Sequence, residues 1–135
     1  MAIDNPETYN AYLDTLSSVA GIPITSYDDL MEALKNRHDF FASQGCTVAD
    51  HGVSSFPWAE VTQKEAASIF KKVRGGDRLK LDETIKLQTA ILLDLCRMNH
   101  DKGWVQQFHF GPLRNVNSRM FNLIGPDTGF DTIGD

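Results

Sequence analysis

The amino-acid sequence predicts an α/β chain that is mainly α-helical, with about two short strands and no sheet complete in itself. Three observations lead there. Four stretches carry helix caps and apolar residues at helical spacing. Two short runs, CTVAD and WVQQFHF, read as strands. The tail after Phe110 is loop-rich, and at 135 residues the chain is at most part of a (β/α)8 barrel, which needs about 250.

Residues 1–45 hold the first two helices. Asn5 before Pro6 is an N-cap followed by proline at the first helical position, where the missing N–H does no harm. Tyr9, Tyr12, Leu13, Leu16 and Ala20 follow at helical spacing up to Gly21. Ser26 caps the second helix, with Asp28 and Asp29 in its positive first turn. Leu30, Leu34 and Phe41 form its stripe, and Gly45 stands where a left-handed closing residue is wanted.

Residues 46–51 read as a buried strand ending near Asp50 and His51, and residues 52–103 as a helical insertion. Within the insertion, Thr62 and Glu65 make a capping box for a helix that runs to the Gly75–Gly76 break. The next helix, from about Asp82 to Asp101, is apolar over most of its circumference. Its polar stripe is Glu83, Lys86, Asp94, Arg97 and Asp101, so burial on more than one side is expected. Residues 104–110 form the second strand, ending near His109 and Phe110. Residues 111–135 form a loop-rich segment with one short helical stretch, SRMFNLI, and no closing element, as if the chain were cut.

Acidic residues outnumber basic ones, 18 to 13, which argues against nucleic acid as the main partner. Lys64, Lys71, Lys72, Arg74, Arg78 and Lys80 make one local basic stretch, read as a solvated helix end and loop because no aromatic platform is interleaved. No apolar run is long enough for a membrane span, and the start lacks a signal peptide's basic and apolar regions. A cytoplasmic location is expected. Cys46 and Cys96 form no CxxC and are expected to be buried thiols of a reducing compartment.

The chemistry-bearing candidates are few. No HxH, HExxH or CxxC pairing writes a complete metal site, and no GxSxG elbow, P-loop or GxGxxG is present. His38 and His100 sit on helices and read as structural. Asp50, His51 and His109 differ because predicted strands deliver them to their C-terminal ends, with Arg114 in the loop after the second. Strand C-termini are where parallel α/β proteins place chemistry. A carboxylate, an imidazole and a guanidinium there could exchange protons and hold an anionic, hydroxyl-rich ligand. The competing reading makes Asp50 a turn cap and His109 a hydrogen-bonded core residue.

VADHG at 48–52 and GWVQQFHFGPLRNVNSRMFNLIGPDTGFD at 103–131, with NPETYNAYLDTL and HDFFASQGC before them, resemble the uronate isomerase (glucuronate isomerase) family of the amidohydrolase superfamily. The resemblance implies an internal fragment of a larger (β/α)8 barrel enzyme. That enzyme would interconvert D-glucuronate with D-fructuronate and D-galacturonate with D-tagaturonate, moving a proton between C2 and C1 through an enediol. It implies that Asp50 and His109 are the family's catalytic aspartate and histidine. Arg114, and less directly His51, would bind the hexuronate substrate.

The family's HxH pair and its last metal-binding aspartate have no counterpart in this sequence. The divalent ion of the parent, such as zinc, therefore has at most one candidate ligand here, His109, and the fragment by itself requires no cofactor. Alone, the fragment is expected to be inactive and open to self-association through its unpaired strand edges. Two other readings stand beside this one: a standalone, non-catalytic helical interaction module, and a different amidohydrolase-superfamily enzyme.

Overall fold

The computed structural model describes residues 3–53 and 55–134. Along them run α1 (Pro6–Ala20), α2 (Tyr27–Ser43), β1 (Val48–Val53), α3 (Gln63–Arg74), α4 (Leu81–Asp101), β2 (Val105–Phe110), β3 (Pro112–Leu113), α5 (Ser118–Ile124) and β4 (Thr132–Ile133). The chain divides into two compact units. One takes the chain up to Val48 together with Pro57–Gln106; the other takes Ala49–Phe56 and the chain from Gln107 on.

The helical unit is built by local signals. Asn5 Oδ1 accepts from the Thr8 N–H at 3.2 Å. Ser26 Oγ accepts from the Asp29 N–H at 3.1 Å while the Asp29 carboxylate accepts from the Ser26 N–H at 2.8 Å. Thr62 and Glu65 make the same reciprocal pair at 3.3 and 2.9 Å. Each box satisfies amide groups that a helix start leaves without partners.

α2 ends in a six-residue closure: the Cys46 N–H donates to the Phe41 carbonyl and the Gly45 N–H to the Ala42 carbonyl, both at 3.0 Å. Gly45 has φ +85°, a left-handed conformation that glycine adopts at no steric cost. α4 closes the same way, the Trp104 N–H donating to the Asn99 carbonyl at 2.9 Å.

These closures explain where the strands begin. Cys46 and Trp104 use their amides to finish helices, so β1 starts at Val48 and β2 at Val105, later than the apolar runs suggest. β1 also continues past His51 to Val53. The two strands are neighbours in one two-stranded sheet. The Val105 N–H donates to the Thr47 carbonyl at their start and His109 meets Asp50 further along, so they run in the same direction.

The core lies among α1, α2, α3 and α4 and includes Tyr9, Leu13, Leu30, Phe70, Val73, Leu87 and Ile91. Tyr27 and Phe70 meet edge to face at 6.2 Å. The Tyr27 hydroxyl donates to Asp94 Oδ2 at 2.8 Å; burial first, then that carboxylate, pushes its pKa up. Arg74 belongs to the basic stretch read as solvated, but it ties three segments together. Its Nε donates to the Ile24 carbonyl at 2.9 Å, and its Nη atoms reach Asn10 Oδ1 at 2.9 Å and Asp14 Oδ1 at 2.7 Å. His38 is buried as a structural residue. Its Nε2 pairs with Asn99 Oδ1 at 2.8 Å and its ring stacks on Trp104 at 4.0 Å.

Three expectations need correction. Phe41 is half exposed, its ring meeting Phe40 at 5.6 Å and the Arg37 guanidinium of its own helix rather than the core. α4 buries Thr84, Leu87, Thr89, Ile91, Leu92 and Asn99, on more than one side, but Leu93 within its apolar set is exposed. Cys46 and Cys96 are only partly buried. No helix of the described residues is long and apolar enough to cross a membrane.

The tail does contain a closing element. β3 and β4 pair antiparallel, Pro112 with Ile133 and Leu113 with Thr132. Strands this short carry no hydrophobic period, so no pattern in the sequence announces them.

Candidate functional site

Strand alternation sorts the side chains of the second unit onto two faces. Asp50 and Gly52 of β1 share a face with Gln107 and His109 of β2. The opposite face is aromatic: Phe56 meets Phe108 at 5.0 Å and Phe110 at 6.5 Å, and His51 lies 5.8 Å from Phe108.

On the polar face His109 Nδ1 lies 2.8 and 2.9 Å from the two carboxylate oxygens of Asp50. A carboxylate only accepts, so Nδ1 carries the proton and donates, which leaves Nε2 as the acceptor of the neutral ring. The Gln107 amide nitrogen stands 3.5 Å from Nε2. Both members of the pair are well exposed, the His109 side chain 63% and Asp50 46%. With that much water around it, the pair's mutual attraction is strongly damped.

Arg114 lies beside the same face: its Nη2 is 3.7 Å from the point a Cβ would occupy on Gly52. Its Nη1 donates to Asp131 Oδ2 at 2.6 Å, with Asp127 Oδ1 farther off at 3.9 Å. Asp131 Oδ1 also accepts from the Asn115 N–H at 3.0 Å. That backbone bond, and then the Arg114 guanidinium, hold the Asp131 carboxyl below the usual range.

The structure therefore brings Asp50 and His109 into contact and sets Arg114 against Gly52 on the same strand face. It does not bring His51 there. His51 follows Asp50 by one residue and turns to the aromatic face, where burial pulls its pKa down against the smaller opposing pull of Asp50. Its Nε2 is buried with no hydrogen-bond partner among the described residues.

Sequence reasoning missed Asp131 and Gln107. Gln107 could have been found from its period-two relation to His109 in the strand. Asp131 sits 17 residues from the arginine it holds, and only a long-range pairing reveals it.

Among the described residues no three His, Cys, Asp or Glu side chains converge as a metal-binding group. Asp50 and His109 alone supply fewer donors than a catalytic zinc needs. The pair suits proton exchange, and the guanidinium suits holding an anion.

Known proteins match this chain along its whole length. The family model described as Glucuronate isomerase matches residues 1–135. A uronate isomerase of Phocaeicola vulgatus is 48% identical over all 135 residues, which cover 29% of that relative's length. One of Bacteroides thetaiotaomicron is 47% identical with the same coverage. The crystal structure of the Thermotoga maritima uronate isomerase superposes with a TM-score of 0.82 at 26% identity, over 94% of this chain and 28% of that one. The Caulobacter crescentus glucuronate isomerase gives 0.75 at 27% identity, over 91% of this chain and 26% of that one.

Proposed function

This chain belongs to the glucuronate isomerase family, and from that premise we propose that Asp50, His109 and Arg114 are its contribution to a hexuronate-isomerising site in an enzyme of the relatives' length. The observation that carries the reading is the hydrogen-bonded Asp50–His109 pair. The chain spans less than a third of the curated relatives it matches, so the reaction is a property of the larger assembly.

The reaction is an aldose–ketose exchange, D-glucuronate with D-fructuronate and D-galacturonate with D-tagaturonate. The C2 proton leaves, its bonding pair forms the C1=C2 bond of an enediol, and the aldehyde oxygen takes up a proton. Return of a proton to C1 and loss of the O2 proton give the ketone. His109 Nε2 exchanges a proton at this reacting end, Asp50 holds the ring in the required tautomer, and Arg114 binds the carboxylate or adjacent hydroxyls. Proton exchange of this kind gains from a dry site. In the exposed arrangement of this chain the pair stands in water, so the 135 residues alone are inactive. We place the active site in a (β/α)8 barrel whose remaining strands bring the divalent ligands, in the cytoplasm. The uncovered apolar residues of this chain make it self-associate when it is alone.

Glucuronate isomerisation measured in a protein of the relatives' length carrying this segment tests the reading. His109→Ala is expected to lose at least about 100-fold in kcat, the scale of general acid–base catalysis. Arg114→Ala is expected to raise KM for glucuronate. Full activity in both variants overturns the site. Detectable turnover by the purified 135-residue chain overturns its inactivity.

A further inference from the structure

We propose that Asp131 is the positioning residue for Arg114, a role that rests on the reading of Arg114 as the uronate-binding group. Its carboxylate bridges the guanidinium and the neighbouring main chain, Oδ2 accepting from Arg114 Nη1 at 2.6 Å and Oδ1 from the Asn115 N–H at 3.0 Å. The side chain of Arg114 is 53% exposed. A long side chain in water samples many rotamers, and a ligand that binds it must first stop that motion. A carboxylate anchored at one oxygen and holding the arginine at the other does so in advance.

Asp131 is itself held from both sides. Before it, the Phe130 carbonyl accepts from the Val116 N–H at 3.0 Å. After it, Thr132 and Ile133 pair with Leu113 and Pro112. The Gly134 N–H then donates to the Gly111 carbonyl at 2.8 Å, and a Cβ at Gly134 would stand 2.6 Å from that oxygen, so only glycine permits the approach. Asn115, at φ +54°, turns the chain through a left-handed residue at the point where its amide and the Arg114 side chain reach the same carboxylate. Because Asp131 takes Nη1, the Nη2 end is left on the side of Gly52, on the strand face that also carries Asp50 and His109. Asp127 cannot substitute: it is 83% exposed and 3.9 Å away.

Two effects of removing the Asp131 charge oppose each other, which makes the sign decisive. Loss of a nearby carboxylate favours an anionic substrate, whereas loss of the tether disfavours it. The second dominates, because a guanidinium freed from its tether must be ordered anew each time it takes up the anion. Steady-state kinetics on D-glucuronate, in a protein of the relatives' length carrying this segment, are expected to show D131N with KM raised about tenfold and kcat changed by less than about threefold. In an R114A background the same substitution is expected to leave KM unchanged. Should D131N fail to fold, D131E carries the test, since it keeps the charge and misplaces it: KM rises and kcat holds. A wild-type or lowered KM in D131N, or an equal effect of D131N with and without Arg114, overturns the positioning role. Failure of the underlying reading looks different, because R114A itself then keeps the wild-type KM.

Discussion

Every fully buried apolar residue described belongs to the helical unit, from Ile3 through Leu92, whereas no described residue of the strand-and-tail unit is fully buried. The difference separates two tasks. The helical unit holds itself together by apolar burial among four helices. The strand-and-tail unit holds its shape by polar contacts, such as Asp50 with His109 and Asp131 with Arg114, and leaves Phe110, Leu123 and Ile133 open to solvent. Polar contacts set geometry well and contribute little net stability when water competes for them. A segment of that kind suits a site completed by other elements.

The largest test of the contrast is Phe70→Ala. Phe70 is 0% exposed and packs against Tyr27, so truncation is expected to cost about 3–5 kcal/mol in denaturant unfolding. A cost under about 1 kcal/mol would mean that the helical core is not the source of stability.

Acid titration comes next. Asp29 is held at about 2, first by the Thr25 hydroxyl and then by the Thr25 and Ser26 amides. Glu65 is held at about 2, first by the Thr62 amide, then by its hydroxyl and Lys86. The ordinary values are 3.8 and 4.5, so on acidification the unfolded chain takes up these protons first. The stability from both caps is therefore present above those ordinary values and is lost as pH falls to about 2. Unfolding of D29N and E65Q as a function of pH is expected to show a shallower decline than wild type over that window. An unchanged slope would remove the caps as its cause.

The smallest effect belongs to the other unit. Ile133 is 92% exposed, so Ile133→Ser is expected to move the unfolding midpoint by an amount worth within about 0.5 kcal/mol. A larger loss would show that the tail contributes a core of its own.

What could be read from the sequence follows the same division. Helix starts and stops depend on residues three to five apart, so Asn5, Ser26, Thr62 and Gly45 announced their roles locally. Arg74 did not, since its partners lie 50 to 64 residues away and nothing near it distinguishes it from Lys71 or Lys72. The strand positions of Asp50 and His109 suggest a site edge, and the resemblance of VADHG and of the QFHFGPLRN block points to the same residues together with Arg114. Their contact spans 59 residues, beyond the reach of any local pattern. His51 was grouped with Asp50 by adjacency in sequence, and strand alternation sends the two to opposite faces. Asp131 ends the longer resembling stretch at 103–131 but carries no mark of its own.

The stacking of His38 on Trp104 has an optical consequence. The chain has two tryptophans, and they differ sharply in surroundings: Trp104 is partly buried against an imidazole at 4.0 Å, while Trp58 is 70% exposed. Trp58 emits from an aqueous environment in both the folded and unfolded states. Changes in intrinsic fluorescence on unfolding therefore arise mainly from Trp104. The helical unit thus contains its own reporter dye, already seated at the point where α2, α4 and the start of β2 meet.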